Sequence, residues 1–339
     1  NLINLIVGTE RLTAERSRYK TISYYVDPVN YNINKQDGTQ NYPFSNLNQC
    51  LGNLTRNNAI SYTVNLANGD YNNEFISYDE TKDISTLYGM TNKVTIKGNS
   101  TDNTQVILHH GFNIKNCSNI VIQDLTIFNG GTEFGFEIDN SNISLENITY
   151  EIDTDTTTSK PNGIYAVNSV ISANNCTFAK CNHSIKASNS TLYLTDISSS
   201  DLTYASLNLS NCIVTAKNCV VSDNSQKLVT YDTERSSFLD GINIWSGELQ
   251  YDSETAENNT VTMNSKVNIF KNLKIDYYAD NISNKQSIII PITSNTPMAR
   301  INYLHMNNDY CWLCEVQIDF SDDTLTISSA RQRRITLAD

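Results

Sequence analysis

The sequence predicts an all-β chain, a parallel β-solenoid followed by an antiparallel β domain. Three observations predict it. First, the beat of "NSNISLENITY" (residues 140–150) returns as "NSVISANNCTF" from Asn168, "NSTLYLTDISS" from Asn189 and "NCIVTAKNCVV" from Asn211. An imperfect copy, "CSNIVIQDLTI", starts at Cys117. Second, apolar residues inside each beat sit two apart, the period of a strand and not of a helix. Third, columns of Asn and Asp separate these apolar groups.

The apolar residue three places after the Asn marks each repeat. The markers Ile120, Ile143, Ile171, Leu192 and Val214 follow one another at 23, 28, 21 and 22 residues. A period of about 20–50 residues is the signature of a solenoid or an array. Further inward columns follow at fixed offsets. They are Leu125, Ile148, Cys176, Ile197 and Cys219; Ile127, Tyr150, Phe178, Ser199 and Val221; and Phe136, Ile164, Ile185 and Leu207, which Phe112 joins with one inserted residue. Each repeat therefore holds three short strands. The polar columns are Asn140, Asn168, Asn189 and Asn211, and Asp124, Asn147, Asn175, Asp196 and Asn218. Asn and Asp tolerate the left-handed conformation, so they turn the chain sharply. Stacked, their side chains can hydrogen-bond along the stack. The frequent Asn-x-Ser/Thr triplets follow from these corners and read as architecture. A leucine-rich repeat would place Leu at several fixed positions, and a propeller blade needs four strands in about 40 residues.

Before the repeats, residues 1–23 form a polar, helix-capable lead, read as an attachment segment. In "FSNLNQCLGNL", Phe44, Leu47, Leu51 and Leu54 fall at helical spacing behind Ser45 as N-cap. An amphipathic helix here would cap the open end of the solenoid. "ISYTVNLANGDYNNEFI" and "KVTIKGNS" read as the first coils. The beat fades after Val221. From about residue 263, "SIIIPITS", "ARINYLHMN", "YCWLCEVQIDF" and "TLTISSARQRRIT" alternate between polar turns, the pattern of a β-sandwich or jelly-roll-like domain. The expected division is 1–23, 24–262 and 263–339.

Composition bounds the function. The net charge of −12 argues against a nucleic-acid groove, which needs a basic stripe. The one basic cluster, "SARQRRITLAD", reads as a solvated strand edge or a subunit contact. No run of about 18 apolar residues occurs, so no membrane-spanning helix is expected. "CWLC" (Cys311 to Cys314) has no partner motif and lies in strand-like sequence, where residues three apart face opposite sides. Cys176 and Cys219 share a column two coils apart, too far for a disulfide. The reading is no metal and no cofactor.

The order "YYVDP…DGT…PFSNLNQCL…YTVNLANGDYNNEFI…VTIKGNS…VIL" resembles the N-terminal part of pectin-lyase-fold right-handed parallel β-helices. It is especially similar to those of bacteriophage tailspikes and tail fibres, over about residues 24–225. The resemblance implies a virion appendage acting on the host surface, a bacterial surface polysaccharide as partner, contacts to other virion proteins through residues 1–23, and a homotrimer held by the C-terminal module. It does not bring an activity with it, because one fold hosts many functions. The Asn-Thr-Asp and Gly-His-Gly segments of polygalacturonase-like members are missing, as is the Arg-x-Pro-x-x-Arg segment of pectate lyases. "GDYNNEF" echoes the opening of pectin methylesterases, but their Gln-Asp pairs do not follow.

Three constellations can carry chemistry. Glu137 and Asp139 flank Ile138, so both point outward, about 6.5–7 Å apart. That is the low end of the carboxylate spacing of inverting glycoside hydrolases. The outward row of Glu137 continues as Tyr165, Lys186 and Asn208, a mix of ring, ammonium and amide that suits a saccharide. The insertion at residues 150–163 carries Glu151, Asp153 and Asp155, and long turns on rigid scaffolds hold function. Trp245, Glu248 and Tyr251 form a similar patch ahead of the C-terminal domain. The leading expectation is polysaccharide recognition by a virion protein, with avidity from multiple copies. A polysaccharide depolymerase on the same fold and a non-binding capsid or tail decoration are the alternatives.

Overall fold

The computed structural model describes residues 20–71, 85–129, 134–152, 160–221, 227–229, 237–238, 260–263, 272–278, 285–292, 298–306, 311–321 and 324–335. The chain divides into two compact units, residues 1–226 with 235–242, and residues 227–234 with 243–339.

The first unit is an all-β parallel solenoid of right-handed type. A long sheet stacks Lys20–Val26, Ile60–Leu66, Val94–Lys97, Ile120–Asn129, Asn142–Ile152, Val170–Ala179, Thr191–Ser200, Ile213–Lys217 and Ser237–Phe238. A short sheet stacks Ser85–Tyr88, Phe112–Lys115, Phe136–Asp139, Ile164–Val167, Ile185–Ser188 and Ala205–Ser210. All these pairings are parallel, and the register is the one the repeats predict. Ile120, Ile143, Ile171, Leu192 and Val214 are consecutive Cα partners, and all five are buried. Phe112 joins the column of Phe136 and Ile164, with its ring stacked on Phe136 at 5.6 Å. The column runs further than the beat does. Ile22, Tyr62 and Val94 precede Ile120, and Phe238 follows Val214. "TISYYV" is therefore a rung itself, beginning at Lys20, inside the stretch read as a lead.

The polar columns are the corners. Asn116, Asn140, Asn168, Asn189 and Asn211 have φ of 46–57°, and Asp124, Asn147, Asn175, Asp196 and Asn218 have φ of 50–62°. Each long strand thus bends at its centre in the left-handed conformation that Asn and Asp accept. Side-chain bonds run along the stack: Asn147 Nδ2 donates to Asp124 Oδ1 (2.9 Å), Asn175 Nδ2 to Asn147 Oδ1 (3.2 Å) and Asn218 Nδ2 to Asp196 Oδ1 (2.8 Å). Three left-handed corners, Asn116, Lys180 and Asp201, lie outside the columns read from the sequence.

Beside the first corner runs a buried serine ladder. Backbone N–H groups of Cys117, Ser141 and Ser169 donate to the hydroxyls of Ser141, Ser169 and Ser190, one coil on, at 3.0–3.1 Å. Each of these hydroxyls donates to the carbonyl two residues before it. The turn N–H groups enclosed by the stack are satisfied this way.

The capping helix, α1 (Leu47–Gly52), is shorter than its pattern. Its N-cap is Asn46, not Ser45; Asn46 Oδ1 accepts from the N–H of Gln49 at 2.7 Å. Leu47, Cys50 and Leu51 are buried. The helix contacts the first strands of both sheets, Lys20–Val26 and Ser85–Tyr88, so it lies at the start of the stack, where an open core would otherwise meet water.

The second unit contains an antiparallel four-stranded sheet in the order Thr260–Thr262, Thr324–Ile335, Cys311–Ser321, Met298–Met306, and a two-stranded ladder of Asn272–Tyr278 with Lys285–Pro291. Ile301, Ile318, Phe320 and Leu325 are buried. Cys311 and Cys314 lie in one strand, and the Arg-rich stretch pairs with it: Arg331, Arg333 and Arg334 are partners of Glu315, Leu313 and Trp312.

Candidate functional site

The outward row of the short sheet forms as the register requires. Buried Phe136, Ile164, Ile185 and Leu207 hold the inner side. Their neighbours Asn113, Glu137, Tyr165, Lys186 and Asn208 are consecutive partners on the outer side. Parallel strands keep these five groups about 4.8 Å apart. Glu137, Tyr165 and Asn208 are partly exposed and Lys186 is exposed. A second outward row places Lys115, Asp139, Val167, Ser188 and Ser210 beside it.

The two carboxylates share one face but are not equivalent. Glu137 Oε2 accepts from Asn113 Nδ2 at 3.0 Å, and Oε1 meets Lys115 Nζ at 3.5 Å. Both oxygens are thus engaged by protein donors, which holds the carboxylate in one orientation. Tyr165 stacks on Phe134 at 5.0 Å with 18° between the rings. This packing restrains a ring that would otherwise turn freely. Sequence reading missed Phe134 because it lies before the strand, and only the stack brings it to Tyr165.

Two further groups adjoin the wall. His183 is buried and stacks on exposed Tyr204 at 5.4 Å. Its Nδ1 lies 2.8 Å from the carbonyl oxygen of Ala205, so Nδ1 carries the proton, and Asn208 Nδ2 lies 3.3 Å from Nε2. The signal available in the sequence was "CNHS", which falls at the edge of a repeat and looks like a turn. Of the inserted turn, Glu151 pairs with Lys180 Nζ at 2.6 Å. Asp153, Asp155, Trp245, Glu248 and Tyr251 lie outside the described residues.

Comparison with known proteins adds likeness at a distance. No family model and no curated protein sequence matches the chain. Two solved structures resemble it. One is a rhamnogalacturonan lyase, with TM-score 0.39, 11% identity, and coverage of 58% of this chain and 56% of that one. The other is the enzymatically active domain of tailspike protein 2 of bacteriophage CBA120, with TM-score 0.28, 9% identity, and coverage of 94% and 58%. The chain therefore spans less than two thirds of the length of either.

Three thiols of the solenoid are held in their protonated form. Burial pushes Cys176 and Cys219 up to about 11 and Cys181 to about 12, and a thiol is reactive only as its thiolate. Among the described residues no group of three or more His, Cys, Asp or Glu could hold a metal ion, and no helix is long and apolar enough to cross a membrane.

A concavity lies away from the short sheet, at the corner between the two halves of the long strands. It is a cleft of about 620 Å³ lined by Ser100, Thr101, Asp102, Asn103, Gln123, Asp124, Glu146, Asn147, Asn174 and Asn175. The corner residues were legible as architecture. The covering loop comes from an earlier coil, so no local pattern announces the cleft.

Proposed function

We propose that the chain recognises a polysaccharide along the outer face of the short sheet. The observation that carries this reading is the in-register row Asn113, Glu137, Tyr165, Lys186 and Asn208, with the Tyr165 ring braced by Phe134. A sugar presents hydroxyls at its edge and C–H groups on its faces. Carboxylate, amide and ammonium groups serve the first, and aromatic rings the second. The rigid stack supplies such groups at a repeat of about 4.8 Å, so a polymer lying along the axis meets a new one at each coil.

Residence on a virion, attachment through residues 1–23, and a trimer held by the C-terminal domain complete the proposal. They rest on the resemblance of residues 24–225 to tailspike and tail-fibre helices. Recognition without cleavage is the leading reading; Glu137 and Asp139, outward on one strand, are the carboxylates that the depolymerase alternative would use.

Glycan-array binding and adsorption to bacterial cells test it. Tyr165→Ala removes a partly exposed ring without opening the core, so binding should fall about two- to tenfold, given about 0.5–1.5 kcal/mol for a stacked ring. The melting temperature should stay within a few degrees. Unchanged binding would refute the wall as the site. Release of oligosaccharides by the unaltered protein, lost in Glu137→Gln, would establish the depolymerase reading instead.

A further inference from the structure

We infer that the corner cleft is a second, separate binding site, for the hydroxyl edge of a neutral sugar. It rests on different residues from the wall and does not depend on it.

The cleft is preformed. Its loop is held by its own side chains. Asn99 Oδ1 accepts from the N–H groups of Thr101 and Asp102, and Asp102 caps the 3-10 turn Asn103–Gln105. The turn is then pinned to the corner. Asn103 Nδ2 donates to the carbonyl of Asn147 (3.1 Å) and to Thr149 Oγ1 (3.1 Å), and Thr126 Oγ1 donates to the carbonyl of Asn103 (3.2 Å). Gly98 permits the approach, since a Cβ there would meet the Asp124 carbonyl oxygen at 2.1 Å. A cleft fixed in the free protein loses little ordering entropy on binding. Its volume lies within the usual range of small-ligand sites, about 300–1,000 Å³.

The lining sets the ligand class. All ten lining residues carry hydroxyl, amide or carboxylate groups. The absence of apolar or aromatic lining argues against lipids and flat aromatic ligands. The absence of Lys or Arg argues against phosphate, sulfate and uronate. Two of the three carboxylates are already used. Asp102 accepts from the N–H and hydroxyl of Thr104 and from Gln105 Nε2, and Asp124 from Asn147 Nδ2 and Gln123 Nε2. The cleft is therefore not a bare acidic cluster waiting for a cation. Glu146 and Asn174, register partners on adjacent coils and both exposed, are left to act. A carboxylate beside an amide can accept from both hydroxyls of a vicinal diol while the amide donates to the next oxygen of the ring.

The test is titration of the full chain with glucose, galactose, mannose and rhamnose, followed by NMR of the Asn side-chain amides, with glucuronate, glucosamine and calcium chloride as controls. At least one neutral sugar should shift the Asn174 and Asn175 amides in saturable fashion. Glu146→Ala and Asn174→Ala should each weaken that sugar about tenfold, while Tyr165→Ala leaves it unchanged; both substituted groups are exposed, so folding is retained. Loss of the neutral-sugar shift in Tyr165→Ala would place the binding on the wall and overturn the inference. So would saturable shifts from calcium or glucosamine alone, or none from any probe. Glycan binding at the wall is read by a different variant, so either site can fail without the other.

Discussion

Replacing Asn147 tests whether the corner works as geometry or as hydrogen bonding. Asn147 has φ of 52°. Its amide donates to Asp124 Oδ1 at 2.9 Å and accepts from Asn175 Nδ2 at 3.2 Å. The first bond is charge-assisted and partly buried; the second is exposed. Their loss together costs about 2 kcal/mol, taking the low end of the range because water replaces part of each. A Cβ in the left-handed region adds about 1–2 kcal/mol for a residue without Asn's local hydrogen bonding. Glycine avoids that strain but adds up to about 1 kcal/mol of backbone entropy. Asn147→Ala should therefore cost about 3–4 kcal/mol, and Asn147→Gly about 2–3. Asn147→Asp keeps the acceptor for Asn175 but sets a second carboxylate against Asp124, so it should be stabilised by salt more than the other two. Urea unfolding of the full chain, monitored by far-UV circular dichroism, measures all three. An alanine variant as stable as the glycine one would refute the strain argument. Losses below about 0.5 kcal/mol in both would refute the ladder.

Two further outcomes follow from the core. Ser169→Ala should destabilise by about 1–3 kcal/mol by stranding the N–H of Ser141, and Ser169→Cys should recover part of it, since Cys117 and Cys212 occupy equivalent places and bond the same type of carbonyl; equal urea midpoints for the alanine variant and the parent would count against the ladder. Burial, and after it the neighbouring His109, lower His110 to about 4. Between about pH 6.5 and 4 the unfolded chain thus binds a proton that the folded one refuses, and stability contributed by neutral His110 is present above about 6.5 and lost as pH falls toward 4, up to about 3 kcal/mol. Urea midpoints at pH 7 and 4.5 should lie closer together in His110→Asn than in the parent, and identical pH slopes would refute the assignment.

The stack was legible because a parallel solenoid repeats one local problem at every coil. Ile143 must face inward and Asn147 must turn left, and the next coil asks the same of Ile171 and Asn175. What was not legible depends on contacts between unlike segments. Phe134 meets Tyr165 only after an insertion is spanned. Residues 100–103 roof a corner built from later coils. Asn46 displaces Ser45 as cap because the hydrogen-bonding geometry at Gln49, not residue type, decides between two good candidates. The serine column was in view as the second letter of "NS" and "NC", but a small polar residue beside a turn looks solvated until the next coil encloses it. In the second unit the alternating pattern did disclose antiparallel pairing, since a strand's period is independent of what packs on it.

The corner amides also carry a sense of direction. In the runs from Asp124 and from Asp196, every bond has the later residue donating to the earlier one. Each run begins at an aspartate, whose ionised carboxylate can only accept. An asparagine stack alone could point its amides either way, and could flip along its length. An aspartate at the head removes that freedom: Asn147 must turn its nitrogen toward Asp124, which leaves its oxygen for Asn175. One charged residue thus acts as a phase-setter for the amides after it, and Asp196, unable to donate back to Asn175, starts the count again.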